Sequence, residues 1–281
     1  MKTLTFTLLT VCCFILISCS RYQLNVISSQ NSNKNQQTGD LEFENDSVKI
    51  AYSFYGPDAP VTVNIQNKLD KPLYIDWQRS AMIIEGRAVS YVADKIAVNG
   101  RVDTQTDTYH YNTNSAFSNP SYTTGSINAV ANLPKTATFL PPHSQASNTS
   151  IRLTQGFLSI PDSAFNKSKM TRIYEDTVDP INVKMADFTA QNSPLKFRSY
   201  LTLYIVNGNE VKPVNYQNDF FVSRSLTTTT NPKDLTEFNQ QRGDYFINSK
   251  ATGYGKTMAT IGVVTAVGAA GALSSSQNNS K

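Results

Sequence analysis

From residue 48 to residue 226 the chain is a run of short segments that alternate apolar and polar residues, closed by glycine, proline, asparagine or aspartate. Alternation with period two puts one face of an extended segment in a core and the other in water, and the closing residues supply turns. Residues 48–55 (VKIAYSFY) alternate and stop at Gly56-Pro57-Asp58-Ala59-Pro60. Residues 61–65 follow, then a turn at 67–72, then 73–77, where Leu73, Ile75 and Trp77 share a face. Residues 81–84 and 88–92 read as a hairpin around Glu85-Gly86, and 137–140, 151–153 and 157–160 extend the sheets. The clearest strand is 197–206. Asn207-Gly208 after it signals a tight type I′ turn, with 211–214 beginning the return and 219–226 a further strand. Neither helical periodicity nor a long repeat interrupts the series, which predicts an all-β chain, an antiparallel β-sandwich. With 281 residues, 40% of them hydrophobic and 16% charged, the chain has enough apolar material for such a core. The formal net charge of +4 is scattered, so nucleic acid is not an expected partner.

Four stretches depart from this pattern. Residues 104–126 are rich in Ser, Thr, Asn and Tyr and predict a long surface loop, with Tyr109, Tyr111 and Tyr122 as a contact surface. Residues 164–187 fit neither period and leave room for a short helix. Residues 19–40 are polar after Ile27 and predict a flexible tether, with an edge strand at 22–26 as the alternative. Residues 257–273 hold no charge and are dominated by Ala, Gly, Val and Thr. They predict a Gly/Ala-rich helix about 25 Å long, shorter than the roughly 30 Å hydrocarbon core of a bilayer. Its Gly262, Gly268 and Gly271 would let another helix approach closely. The expected organisation is a leader at 1–18, a tether at 19–40, a β-sandwich at 41–248, and an apolar segment with a polar tail at 249–281.

Lys2 and the apolar run 4–17 form the charged and hydrophobic regions of a signal peptide, which ends in Leu16-Ile17-Ser18-Cys19. That ending resembles the bacterial lipobox. The resemblance implies cleavage before Cys19 and acylation of its thiol and its new amine. Two or three acyl chains hold a soluble body on a membrane where one chain does not. Cys12 and Cys13 leave with the leader, and the remaining cysteine is the lipidated one. A disulfide, a thiolate nucleophile and a cysteine metal site are thereby excluded from the expected mature chain.

Catalytic chemistry finds little purchase. Neither His110 nor His143 has a second histidine three or four residues away, so a helical zinc pair is ruled out. Ser144 beside His143 is no triad signal, and no G-x-S-x-G elbow occurs. Residues 253–257 (GYGKT) end like a phosphate-binding loop, but Lys250 stands where its first glycine is required. Asp176 with Asp179, or Glu42 with Glu44, are candidate glycosidase pairs. Asp70, Asp76 and Asp94 are candidate calcium ligands without a D-x-D-x-D-G loop. Solvated surface charge accounts for both sets, so no catalytic, cofactor-binding or metal-binding residue is assigned. The triplets at 46–48, 162–164 and 176–178 (DSV, DSA and DTV) resemble the O-glycosylation sequon of Bacteroidota, which implies Ser47, Ser163 and Thr177 as modified hydroxyls.

Together, the lipobox, the Asn/Gln-rich tract, residues 41–50 (LEFENDSVKI) and residues 67–77 (NKLDKPLYIDW) resemble uncharacterised Bacteroidota lipoproteins. The second of these segments is also similar to an immunoglobulin-like strand pair. No functional residue is carried over from that resemblance. Surface-exported lipoproteins of the phylum have acidic residues after the lipidated cysteine. Ser20-Arg21-Tyr22-Gln23 has none, which implies the periplasmic face of the outer membrane rather than the cell surface. The expected role is a non-enzymatic component of an envelope assembly, held to the membrane by lipid on Cys19 and bound to other envelope proteins. A glycan-binding or adhesive module, with Trp77 or the loop tyrosines as sugar platforms, is the second reading, and a hydrolase the third.

Overall fold

A computed structural model describes residues 20–92, 97–108, 121–132, 135–175, 177–208 and 210–251. The leader, Cys19 and the apolar segment 257–273 lie outside these residues. The strands are β1 (Ser20–Ser29), β2 (Asn33–Lys34), β3 (Leu41–Glu44), β4 (Val48–Ser53), β5 (Pro60–Asn67), β6 (Leu73–Ile84), β7 (Arg87–Ser90) and β8 (Ala97–Thr108). They continue as β9 (Ser121–Asn132), β10 (Ala137–Leu140), β11 (Gln145–Arg152), β12 (Asn166–Tyr174), β13 (Thr177–Asp187), β14 (Lys196–Asn207), β15 (Glu210–Thr228) and β16 (Tyr245–Ala251). The chain is all-β: among the described residues the only helical pieces are single 3₁₀ turns at Asp162–Ala164 and Pro232–Asp234.

The larger sheet runs β10-β6-β14-β15-β1-β16, with β7 beside β6 and the β12–β13 hairpin joined to β15. The smaller runs β11-β5-β4-β3-β2. Every ladder among the described strands is antiparallel, as short connections require for β4–β5 and β14–β15. The sheets face each other across one core. Val48, Ile50 and Tyr52 of β4 and Val61, Val63 and Ile65 of β5 meet Ile75, Phe197, Leu201, Phe220 and Val222 of the larger sheet. Phe54 stands edge-on to Phe197 and Phe220, both 5.4 Å away, and Tyr52 to Phe220 at 4.9 Å. Each such side chain contributes about 1.5–3 kcal/mol through burial. On the outer face of the larger sheet a second cluster gathers Leu24, Met170, Val183, Leu226, Leu235, Phe238 and Tyr245.

The segments at 48–67 and 196–228 fold as their alternation predicts. Residues 73–77 and 81–84 join into one strand, β6, whose register against β14 shifts between Tyr200 and Thr202. At that bulge the Ser80 hydroxyl accepts from Thr202 N (2.9 Å) and donates to Asp76 O, so the irregular backbone keeps its partners. The tight turn after β14 sits one residue later than expected. Asn207 pairs with Glu210, which leaves Gly208 (φ 63°) and residue 209 as the connection. Residues 157–160 form no strand, and 164–187 is the β12–β13 hairpin, with no helix beyond the single 3₁₀ turn.

Two larger departures matter for function. The expected tether begins with β1, which lies between β15 and β16 and pairs with both. Tyr22, Leu24 and Val26 turn to the second cluster, Ile27 on the opposite face enters the main core, and a bulge at Ser223 of β15 brings Val222 to the same side. Gln23 and Asn25 give the segment its tether-like polarity, yet both are buried and bonded. The Gln23 amide pairs with the Leu158 backbone (Nε2 to O 3.1 Å, Oε1 from N 2.6 Å), and Asn25 Oδ1 accepts from Ser225 Oγ at 2.8 Å. The expected loop at 104–126 is, over its described part, an antiparallel ribbon of β8 and β9.

Candidate functional site

The β8–β9 ribbon leaves the edge of the larger sheet at β6. Its feet are tied there by Trp77 N donating to Thr136 O (3.0 Å) and Tyr91 N donating to Ser80 O (3.4 Å). Each strand has 12 residues, or about 40 Å at the usual rise. Among the described residues no other strand pairs with either one. Arg101, residues 103–107 and residues 123–126 are exposed at both odd and even positions, so neither face is covered over these described residues. Both outer edges therefore offer backbone N–H and C=O groups to a further strand.

The two edges differ. The ribbon's charged residues, Arg101, Asp103 and Asp107, all belong to β8 and to one alternating set, whereas β9 (SYTTGSINAVAN) has neither a charge nor a proline. Arg101 Nε donates to Asp103 Oδ1 at 2.7 Å, and Gln105 Nε2 to Asp107 Oδ1 at 3.3 Å. The other alternating set, from Val98↔Ala131 to Thr108↔Ser121, is uncharged throughout. Edge strands are ordinarily blunted by lysine, proline or inward charge. β9 carries none of these guards.

A second contact surface lies toward the β14–β15 turn. Tyr74, Phe139 and Val211 are 41%, 53% and 55% exposed, and the Tyr74 and Phe139 rings are 5.1 Å apart. Tyr74 and Val211, with Tyr204 and Val206, line a shallow groove of about 320 Å³. Aromatic and aliphatic side chains grouped in this way on a surface mark a contact site.

The residues singled out from the sequence are dispersed. Trp77 is buried between the sheets, its Nε1 donating to Thr138 Oγ1 at 2.9 Å and its ring 5.8 Å from Tyr91, so it presents no face to a sugar. Cys19, Tyr109, Tyr111, His110, Asp94 and Asp176 lie outside the described residues. Tyr122 belongs to β9. Ser47 is half-buried, and Ser163 is exposed on its 3₁₀ turn. Thr177 is exposed, with its hydroxyl donated to Tyr174 O at 2.8 Å. His143 occupies a turn at φ 52°, its Nε2 2.7 Å from Asp70 Oδ1. Glu42 and Glu44 do not face one another as a catalytic pair: Glu42 holds Lys49 at 2.9 Å and Glu44 holds Lys68 at 2.6 Å. Asp179 is ion-paired to Arg172 and Asp76 to Arg79. Among the described residues no group of three or more His, Cys, Asp or Glu converges to hold a metal ion.

One pair of carboxylates is brought together without any signal in the sequence. Asp40 and Asp244 flank the place where Gly39 and Gly243 let the two sheets touch. Gly243 N donates to Thr38 O and Phe54 N to Gly243 O, both at 2.8 Å. A β-carbon on Gly243 would collide with Asp40 Oδ1 and lie 2.9 Å from Ser53 Oγ. Asp244 is ion-paired to Lys34 and, at 3.2 Å, to Arg242. Burial pushes the Asp40 carboxyl above the usual carboxylate range, against hydrogen bonds from Thr38 and Ser53 that pull it down. A raised acid beside a second carboxyl group is an acid–base pattern. Here Asp244 ties the approach to β16 to Lys34 of the smaller sheet, while Asp40 is held by Thr38 and by Ser53 of that same sheet, so both carboxylates have structural partners.

Searches against protein-family models, curated proteins and solved structures return no match for this chain.

Proposed function

We propose that this protein is a non-enzymatic, lipid-anchored envelope component that joins its assembly by strand addition at the β8–β9 ribbon. The observation that carries this reading is the pair of open edges on a ribbon no other described strand covers. A two-stranded ribbon in water is marginally stable at best. A third strand from a partner supplies the missing backbone bonds, and the charge-free edge of β9 is where it adds. The Tyr74–Phe139–Val211 surface supplies a side-chain contact for the same or a second envelope protein.

The lipobox at Cys19 and the absence of acidic residues at 20–23 support a location on the periplasmic face of the outer membrane. A tryptophan buried between two antiparallel sheets supports an immunoglobulin-like form of the sandwich. Segment 257–273 is a helix and a second membrane contact in this reading. Its support is the pairing of Ser20 with Ala251, which sends the chain out beside Cys19. Burial of Trp77 removes the main support for the glycan-binding alternative.

The test is affinity capture of the acylated chain from detergent-solubilised membranes, beside a Thr124→Lys/Ser126→Lys variant that charges β9. The expected result is a stoichiometric partner with the native chain, its loss with the variant, and equal unfolding midpoints. Capture of no partner, or equal capture by both chains, overturns the proposal.

A further inference from the structure

At the end of the larger sheet next to Cys19, register sets Arg21 opposite Lys250 across β1–β16, and Lys167 opposite Lys184 across β12–β13. All four side chains are exposed. Like charges directly opposite on neighbouring strands are destabilising, and this end of the fold contains two such pairs. Arg21, Lys167 and Lys184 line one cleft of about 380 Å³, together with Asn182 and Thr227–Thr229. Among the described residues no carboxylate lines it; Asp162 reaches Lys184 from outside at 3.6 Å. The cleft thus offers three cations with hydroxyl and amide donors, and no anion of its own inside. That set matches a group with several charged oxygens and a fixed tetrahedral shape. Arginine grips such a group with paired N–H donors, and lysines supply point charge.

We propose that this cleft binds a phosphate group, with Arg21, Lys167 and Lys184 as its ligands. Its place fixes what the phosphate belongs to when the protein is anchored. β1 begins at the residue after Cys19, so the cleft opens at the level of the lipid headgroups. That headgroup assignment rests on the proposed acylation. Phosphate binding itself does not.

The experiment uses a full-length Cys19→Ala chain, which cannot be acylated at that thiol; binding through the leader or segment 257–273 is the part that the cleft variant leaves unchanged. One arm measures the unfolding midpoint with and without inorganic phosphate, since a ligand of the folded state raises it. The other measures co-sedimentation with phosphatidylcholine vesicles that contain or lack phosphatidylglycerol. Phosphate is expected to raise the midpoint, and phosphatidylglycerol vesicles are expected to bind the chain with an affinity that falls as salt rises. Lys167→Gln/Lys184→Gln should weaken both about tenfold, while its midpoint without phosphate stays level or rises as a like-charge pair disappears. Lys71→Gln/Lys233→Gln, which changes charge elsewhere, should leave both intact. A response to phosphate without vesicle binding supports the site and assigns it to a soluble phosphate. Equal binding by the two double variants, or no response in either arm, overturns it. Membrane fractionation of cells making native and Cys19→Ala chains tests the lipid anchor separately.

Discussion

Tyr52 and Asp40 show how single buried polar groups set stability in this fold. The Tyr52 hydroxyl lies 3.1 Å from Asn218 Oδ1 and 3.0 Å from Ser199 Oγ, and Tyr91 reaches the same serine at 2.9 Å. Asn218 Oδ1 can only accept, so the Tyr52 proton belongs to it and Ser199 bridges the two phenols. Burial drives both phenols well above the usual tyrosine range, and they keep their protons at every pH the fold survives. Tyr52→Phe leaves Asn218 Oδ1 without a donor and should cost about 1–3 kcal/mol, read as a lower urea midpoint at unchanged slope. Asp40 works in the opposite sense. Its carboxyl is raised above 3.8 in the fold, chiefly by burial, so the native state takes up this proton before the unfolded chain does. The ionised form therefore costs stability at neutral pH, and that cost disappears as pH falls through the raised value. Asp40→Asn should be more stable than the native chain at pH 7, with the difference closing below 3.8. Denaturant titrations of both chains across that window check the sign. None of this was legible in the sequence, because Asp40 and Asn218 gain their meaning from partners far along the chain.

Elements were legible to the extent that one face is buried and the other wet. In β4 and β5 burial alternates residue by residue, and alternation in the sequence records it directly. β1 breaks the correspondence because both its faces are covered, one by the second cluster and one by buried amide contacts of Gln23 and Asn25. Polar side chains that look solvated in a sequence are here satisfied by the Leu158 backbone and Ser225. β8 and β9 break it the other way: residues 103–107 and 123–126 are exposed on both faces and need no apolar stripe, and their composition is that of a loop. Paired deletions separate these cases. Removing 20–29 opens the sheet between β15 and β16 and takes away Leu24 and Ile27. Two such side chains contribute roughly 3–6 kcal/mol through burial alone, a large part of the 5–15 kcal/mol that holds a typical domain. That chain should be unfolded at 25 °C by circular dichroism and proteolysis. Replacing 97–132 by a short Gly/Ser link should leave the unfolding midpoint of the body within about 2 °C, since among the described side chains none of the core comes from the ribbon.

For the molecule as a whole, the consequential fact is where the two ends of the described chain meet. Ser20 pairs with Ala251, and Tyr22 pairs both with Ser249 of β16 and with Thr228 at the end of β15. The other end of β15 carries Val211 and the exposed apolar surface, up to roughly 55 Å away along the strand. Such a pairing across nearly the full length of the chain leaves no local trace, which is why residues 20–40 read as a spacer. Without a spacer, the acyl chains proposed on Cys19 would hold the Ser20–Ala251 end against the headgroups. A tether would let the body wander. A fluorophore on Ser249→Cys in the acylated chain should be strongly quenched by headgroup-labelled quencher lipid, and one on Val211→Cys much less. Inserting twenty Gly/Ser residues between Cys19 and Ser20 should relieve the quenching at 249 without lowering the unfolding midpoint. Equal quenching at both positions, or no response to the insertion, would mean that the strand next to the lipid does not set how the body meets the membrane.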